Sequence, residues 1–196
     1  MAIVLILILV VLVLMGGSGV LAYNGLIRRR NRTTESWSQI DVELKRRHDL
    51  IPNLVRTVQG YAAHESGTLQ AVTASRSAAI SAGASADPAA VGKAENALSS
   101  SLRSLFAVAE SYPALRAEEG FLALQEQLTA TEDKLEFARH HYNASAQDFN
   151  TAIQSFPRSL LASRFDFHPF AFFQIDPPDR EVPTVDFAKV TPPTAS

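Results

Sequence analysis

At 196 residues, with no cysteine and 18 basic against 20 acidic side chains for a formal net charge of -2, the chain excludes several classes at once. Without cysteine there is no disulfide, no thiolate metal site and no cysteine nucleophile, so stability has to come from packing alone. The near-neutral balance provides no whole-molecule field to recruit nucleic acid, and the roughly 170 residues left after the first ~25 suffice for one core rather than two full domains.

Ile3 to Ala22 carry no charge: IVLILILVVLVLM is followed by the glycine-rich GGSGVLA. About 20 residues rising 1.5 Å each match the ~30 Å hydrocarbon core of a bilayer. Such a run has no polar face to show water, which argues against a buried soluble helix. A cleaved secretory signal would use Val20-Leu21-Ala22 as its small-residue site, but a signal carries positive charge ahead of its apolar core. Here only Met1 and Ala2 precede Ile3, and the positive cluster of Arg28, Arg29, Arg30 and Arg32 lies on the other side. Basic residues so close to a span favour the cytoplasmic side. The expected arrangement is a single-pass protein of the inner (cytoplasmic) membrane with its N-terminus out: a transmembrane anchor over 1–24, a cytoplasmic helical bundle over 25–165, and a phenylalanine-rich then proline-rich tail over 166–196. The four arginines are candidate membrane-interface residues, each contributing ~1 kcal/mol near anionic headgroups. Gly16, Gly17 and Gly19, with Ser18 and Ala22 four apart, would let two such helices approach closely.

Beyond the anchor, Trp37, Ile40, Leu44, Ile51, Leu54, Val58, Tyr61, Leu69 and Val72 are spaced by threes, fours and their sums of seven and eight. That spacing predicts one apolar helix face over about ten turns. Thr33 or Thr34 could cap its start, or the helix runs straight out of the membrane. Pro52 removes one ladder bond and crowds the carbonyl of His48, so a kink is expected there; Gly60 and Gly67 weaken the helix further along.

Small residues from Ala78 to Pro88, AAISAGASADP, predict the first inter-helix loop. Asp87 as N-cap with proline following starts a second helix, whose pattern runs through Val91, Glu95, Leu98, Leu102, Leu105, Ala109 and Tyr112 to Pro113. A third helix begins near Ala117 or Glu118 and runs to Phe156-Pro157. Its seam is regular: Phe121, Leu128, Leu135, Tyr142, Phe149 and Phe156 stand seven apart, with Leu124, Thr131, Ala138, Ser145 and Ala152 between them. This is a coiled-coil-like register with large residues facing small ones, and with Trp37 and Leu54 it forms the expected core seam.

At 1.5 Å per residue the three helices would span about 70, 38 and 60 Å. Either the third overhangs the second, or the first breaks near Gly60 to Gly67 into two members of a four-helix bundle; the unbroken helix is the expectation. After Pro157 a short helix RSLLAS is followed by Phe165, Phe167, Phe170, Phe172 and Phe173 within nine residues. So many exposed rings would be an association site. They either dock on a neighbouring subunit or fold back onto the bundle end, and fold-back is expected. The proline-rich last twenty residues lack periodicity and are expected to be extended or disordered.

The sequence resembles the LemA family of bacterial membrane-anchored helical proteins. The resemblance is carried by YNGLI with RRRN, then WSQIDVELKRRHDLIPNLVRTVQGYAAHE, AENALSSSLRSLFAVAESYPALRA and FLALQEQLTATEDKLEFARHHYNASAQDFNTAIQSFP, and covers Tyr23 to about Phe173. Three positions depart from the family pattern: Ser36 stands for the usual Ala, Gly120 weakens the start of the third helix, and Asp166 replaces a usual Gly. The resemblance implies an all-α fold: an outward N-terminus, one spanning helix and a cytoplasmic bundle of three to four long antiparallel helices with bromodomain-like topology. It implies no established enzymatic activity. It includes a magnetosome-associated member implicated in building intracellular membrane compartments, and its genes often lie near those for membrane proteases or TPM-domain proteins. A membrane-scaffold role follows by analogy.

The polar residues add no chemistry. His64-Glu65 lacks the second histidine of a zinc peptidase, since Thr68 stands four positions on. Adjacent His140 and His141 point about 100° apart on a helix, which is wrong for joint ligation. No Gly-rich phosphate loop or serine elbow is present. Arg47, His48, Glu65, Glu132 and Arg139 lie on or beside the apolar stripes and are expected to form a buried ionic network that fixes register; unpaired and converging on a cavity, they would instead mark a ligand pocket. The resulting expectation is a non-enzymatic scaffold without cofactor or metal, whose partners are the lipid bilayer and further copies of itself. The alternative is a tethered adaptor presenting its bundle or its phenylalanine-rich tail to a membrane protein such as a protease or sensor.

Overall fold

The computed structural model describes residues 1–85 and 87–174. Every regular element within them is helical: α1 Ala2–Tyr61, α2 Ser66–Gly83, α3 Pro88–Glu110, α4 Pro113–Arg116, α5 Glu119–Gln154 and α6 Arg158–Arg164. α1 is 60 residues long and passes without interruption from the apolar segment into the bundle. From Ile3 to Met15 its large apolar side chains stand 47–75% exposed, and this part is long and apolar enough to cross a membrane.

The first helix does not stay unbroken past Gly60. It ends at Tyr61, Ala62 leaves the helical region at φ -127° and ψ 48° while its N–H still donates to the Val58 carbonyl, and α2 restarts at Ser66. Gly60 and Gly67 bracket the turn and cost about 1 kcal/mol each inside a helix. The hairpin offsets that, because it lays Leu69, Val72 and Ala79 against Ile51, Leu54 and Val58 in one buried cluster, apolar surface that a straight rod would leave in water. The predicted loop from Ala78 is also corrected: the helix continues to Gly83, Ala79 is 1% exposed, and the Ser75 and Ser101 hydroxyls meet at 2.6 Å. Small side chains here bring α2 and α3 close together rather than ending the helix.

Pro52 sits inside α1. It has no N–H to offer the carbonyl four residues earlier, that of His48, and Arg76 of α2 takes the vacated acceptor, its Nε donating at 2.7 Å. The proline is thus tolerated by a bond from across the hairpin. Arg76→Ala is expected to destabilise the protein by about 1–3 kcal/mol in urea unfolding. Most of that loss should return with Pro52→Ala, whose restored N–H can reclaim the carbonyl; additive losses in the double variant would refute the pairing.

The remaining boundaries follow their local signals. The Asp87 carboxylate accepts from Ala89 N–H at 3.1 Å with Pro88 in the first helical position, and the Glu118 carboxylate accepts from Phe121 N–H at 2.5 Å. The proline at 113 ends α3 but starts one further turn that buries Leu115 completely. α5 runs antiparallel to α1, as the pairs Arg29–Asp148, Trp37–Tyr142 and Arg47–Glu132 show. α2 and α3 are antiparallel likewise, through Glu65–Tyr112 and Ser75–Ser101. α1 packs along α5 and α2 along α3, whereas α3 and α5 approach each other through side chains rather than close backbones.

The seam of α5 is buried at Phe121, Leu128, Leu135, Tyr142 and Phe149, with Thr131, Ala138, Ser145 and Ala152 buried between them. Leu54 is fully buried, and Trp37 is half-buried with its ring 5.1 Å from that of Tyr142. Phe156 leaves the seam and is 82% exposed. The helix has ended at Gln154, and extended backbone at Ser155 (φ -83°, ψ 134°) turns the next side chain off the heptad face.

Candidate functional site

Two constructions bring the chain's polar residues together: a buried charge cluster between α1 and α3, and a C-terminal strap. In the first, Arg47 and His48 are adjacent on α1, 4% and 9% exposed, and both reach the fully buried Glu95 of α3. Arg47 Nη1 donates to Glu95 Oε2 at 2.9 Å and His48 Nε2 lies 2.7 Å from Glu95 Oε1. With Glu95 ionised, that ring nitrogen must carry the hydrogen. Arg47 Nη2 donates to Ser99 Oγ at 2.7 Å and lies 3.3 Å from Glu132 Oε2. One carboxylate therefore answers two side chains of α1, and the guanidinium is met from α3 and α5 together.

Of the five residues expected in this network, Arg47, His48 and Glu132 are brought together, and Glu65 and Arg139 are not. Glu65 lies in the α1–α2 turn, where Tyr112 Oη donates to it at 3.4 Å, and Arg139 lies 3.8 Å from Glu136 on its own helix. Both sit beside the stripe rather than on it, so their charges reach its edge. The residue missed is Glu95. Its signal was present, since it occupies an apolar register position of α3 between Val91 and Leu98, and a carboxylate there must find a cation. Beside the cluster, where α3 and α5 separate, a cleft of about 320 Å3 is lined by Arg47, Leu102, Arg103, Phe106, Leu128 and Glu132. Of its charged residues, Arg47 and Glu132 are paired with each other.

In the strap, the five phenylalanines fold back on their own chain. Phe173 is fully buried and Phe167 9% exposed, Phe170 is half-buried, and Phe165 and Phe172 remain 52% and 39% exposed. Phe167, Phe170 and Phe173 are therefore removed from the candidate association patch. The cause is a pair of asparagines. Asn143 and Asn150 of α5 each donate from Nδ2 and accept at Oδ1, Asn143 with the carbonyl and N–H of Phe173, Asn150 with those of Phe170, all at 2.9 Å. Seven helical residues rise about 10.5 Å, and three extended residues span about 10 Å, so the two lattices match. Tyr142 Oη donates to the Ala171 carbonyl at 2.8 Å, and burial pushes its phenol up to about 12. Asp166 adopts φ 57°, the left-handed region that suits glycine; Asp is among the few side chains that tolerate it. The proline-rich end lies outside the described residues.

At the end of the bundle nearer the apolar segment, Arg29 pairs with Asp148, the Arg30 guanidinium lies 5.7 Å from the Phe167 ring centroid, and Arg28 and Arg32 are exposed. Among the described residues no group of three or more His, Cys, Asp or Glu could hold a metal ion; His64 and His141 are exposed, and His140 lies 3.7 Å from Glu136.

These features define an all-helical protein whose single long apolar helix, at the N-terminus, fits a membrane anchor. The description of the LemA family matches residues 36–187, most of the chain, and the chain belongs to that family. It is similar to Magnetosome protein MamQ 2 of Paramagnetospirillum magneticum, 25% identical across 87% of this chain and 69% of that protein. Protein LemA of Metamycoplasma hominis is 26% identical across 77% of this chain and 68% of its own length. Magnetosome protein MamQ of Magnetospirillum gryphiswaldense is 24% identical, with 87% and 69% covered. None of these names denotes an enzyme.

Proposed function

We propose that this protein is a non-enzymatic scaffold, anchored in the inner membrane through residues 1–24 with its bundle in the cytoplasm, that self-associates and organises or remodels the bilayer. The observation that carries the reading is the continuity of α1: it has no joint between the apolar segment and the bundle, and side chains are buried from Leu26 onward. A flexible tether would decouple bundle orientation from the membrane normal; a continuous helix ties one to the other. Packing between bundles is then transmitted to lipid as tilt. Gly16, Gly17 and Gly19 have no side chain to hold a second helix at a distance from the apolar segment. The likeness to magnetosome proteins agrees with a membrane-organising role. Mass measurement of the full chain in mild detergent at micromolar concentration is expected to give more than one copy per particle, and a monomer would overturn the scaffold.

The second reading, a tethered adaptor, draws on the cleft between α3 and α5. It takes the place of the first if the protein is monomeric and Phe106→Arg abolishes capture of a defined membrane partner while leaving the fold intact.

A further inference from the structure

We propose that α6 and the turns on either side of it form an interfacial foot, a second membrane contact through which the bundle rests on an anionic lipid surface beside its own anchor. The inference rests on the reading that residues 3–22 cross the bilayer.

Depth is set by α1. Because that helix is continuous, each of its residues marks a height above the bilayer, and Tyr23 is the first after Ala22, a residue type that favours the interface. The Phe165 ring packs on the Tyr23 ring with centroids 4.9 Å apart, and Phe167 follows at 5.9 Å. Ile153, in the last turn of α5, shares a cluster with Leu26 and the α6 residue Ala162. Phe156 lies just beyond that turn, toward the anchor. The end of the bundle thus comes down to the level at which the apolar segment stops.

At that level it shows apolar surface to the outside. Phe156 is 82% exposed, Leu160 64% and Phe165 52%, all within ten residues of one another. Cationic side chains surround them. Arg158 and Arg164 flank Leu160 on α6, the Arg164 guanidinium lies 5.9 Å from the Phe165 ring centroid, and Arg28 is exposed on the adjacent turn of α1. Of the acids near this end, Asp148 pairs with Arg29, and Asp166 lies 3.0 Å from His168. Rings and a leucine that reach the acyl boundary, under a rim of arginines that meet phosphate, are the chemistry of an interfacial segment. Phe137 is as exposed, at 73%, but stands alone beside Gln39 and Glu43, about 25 Å further along α1 from Ala22 at 1.5 Å per residue.

The absence of cysteine makes the test direct. Full-length single-cysteine variants Phe156→Cys, Leu160→Cys, Phe137→Cys and Leu14→Cys are spin-labelled in proteoliposomes of phosphatidylethanolamine and phosphatidylglycerol. Collision with oxygen, which partitions into lipid, is compared with collision with a water-soluble nickel chelate. All four sites are exposed, so the labels do not disturb the core. The oxygen-to-nickel ratio at 156 and 160 is expected to exceed that at 137 severalfold and to approach that at 14. If position 14 reports lipid while 156 and 160 match 137, the foot is wrong and the anchor stands. If position 14 reports water, the anchor reading itself has failed, and the foot with it. Protection of 160 from both reagents, with spin–spin broadening between labels, would mean that a second copy of the chain covers this face, and would overturn the lipid assignment.

Discussion

Glu95→Ala is expected to destabilise the protein by about 3–5 kcal/mol, because it leaves the buried Arg47 without its main counter-charge. Arg47 is 4% exposed, and the 3.3 Å approach of Glu132 cannot replace the lost partner, since Glu132 is 44% exposed in its side chain and stabilises the guanidinium from the solvent side. His48 loses its partner in the same step. The effect belongs to the orphaned charge, so removing both ends should undo it. Arg47→Met with Glu95→Leu is expected to lie within about 1.5 kcal/mol of the parent, since a well-packed apolar pair of similar volume often matches a buried ion pair. Denaturant unfolding of the detergent-solubilised full chain, read by far-UV circular dichroism, gives both numbers. Equal losses in the single and double variants would show that the cluster stabilises by its own attraction rather than by mutual neutralisation.

Phe173→Ala is expected to cost a comparable amount, about 3–5 kcal/mol for a fully buried ring. Phe173 packs edge-on to Trp37 at 5.4 Å and shares a cluster with Val91 of α3, Ile40 and Leu44 of α1, and Tyr142 of α5. It is therefore the point at which three helices meet one side chain. Gly92→Ala attacks the same contact from the other side, since a Cβ there would stand 2.4 Å from the Gln174 carbonyl oxygen, which is backbone and cannot rotate away. The strap should lift at its end, and amide exchange over 170–174 should rise in both variants. If Phe173→Ala leaves the unfolding midpoint unchanged, the strap is not part of the folded core.

Much of this arrangement was legible in the sequence because it follows from period and chemistry. The heptad positions Phe121 to Phe149 are buried in the register their spacing predicts, Asp87-Pro88 starts a helix, and Arg47 and His48 find a buried partner, as charges on an apolar stripe must. What was misread depends on a competing partner elsewhere in the chain. Tyr61 ends its helix because Leu69 and Val72 return to cover Leu54 and Val58, a tertiary gain that two glycines only permit. Ala79 stays helical because α3 lies close beside it, and Phe156 falls off the seam because α5 ends two residues before it. Glu95 stands on the apolar register of α3, and its place as the hub emerged only once α3 faced α1. The reciprocal amide pairing of Asn143 and Asn150 was hidden for a plainer reason: the asparagines stand seven apart, yet their partners are backbone groups, which carry no sequence signal.

The strap has a mechanical consequence for the cleft. The two antiparallel pairs, α1 with α5 and α2 with α3, leave the backbones of α3 and α5 apart, joined through side chains such as Leu102 and Leu128 of one buried cluster. At the end nearer the anchor, residues held by Asn143 and Asn150 of α5 reach across to Val91 and Gly92 of α3. At the far end the Phe106 and Phe121 rings meet with centroids 6.2 Å apart. Pinned at both ends by aromatic contacts, and bridged between them by Arg47, which reaches Glu95 and Ser99 of α3 and Glu132 of α5, the space between α3 and α5 is a slot of set width.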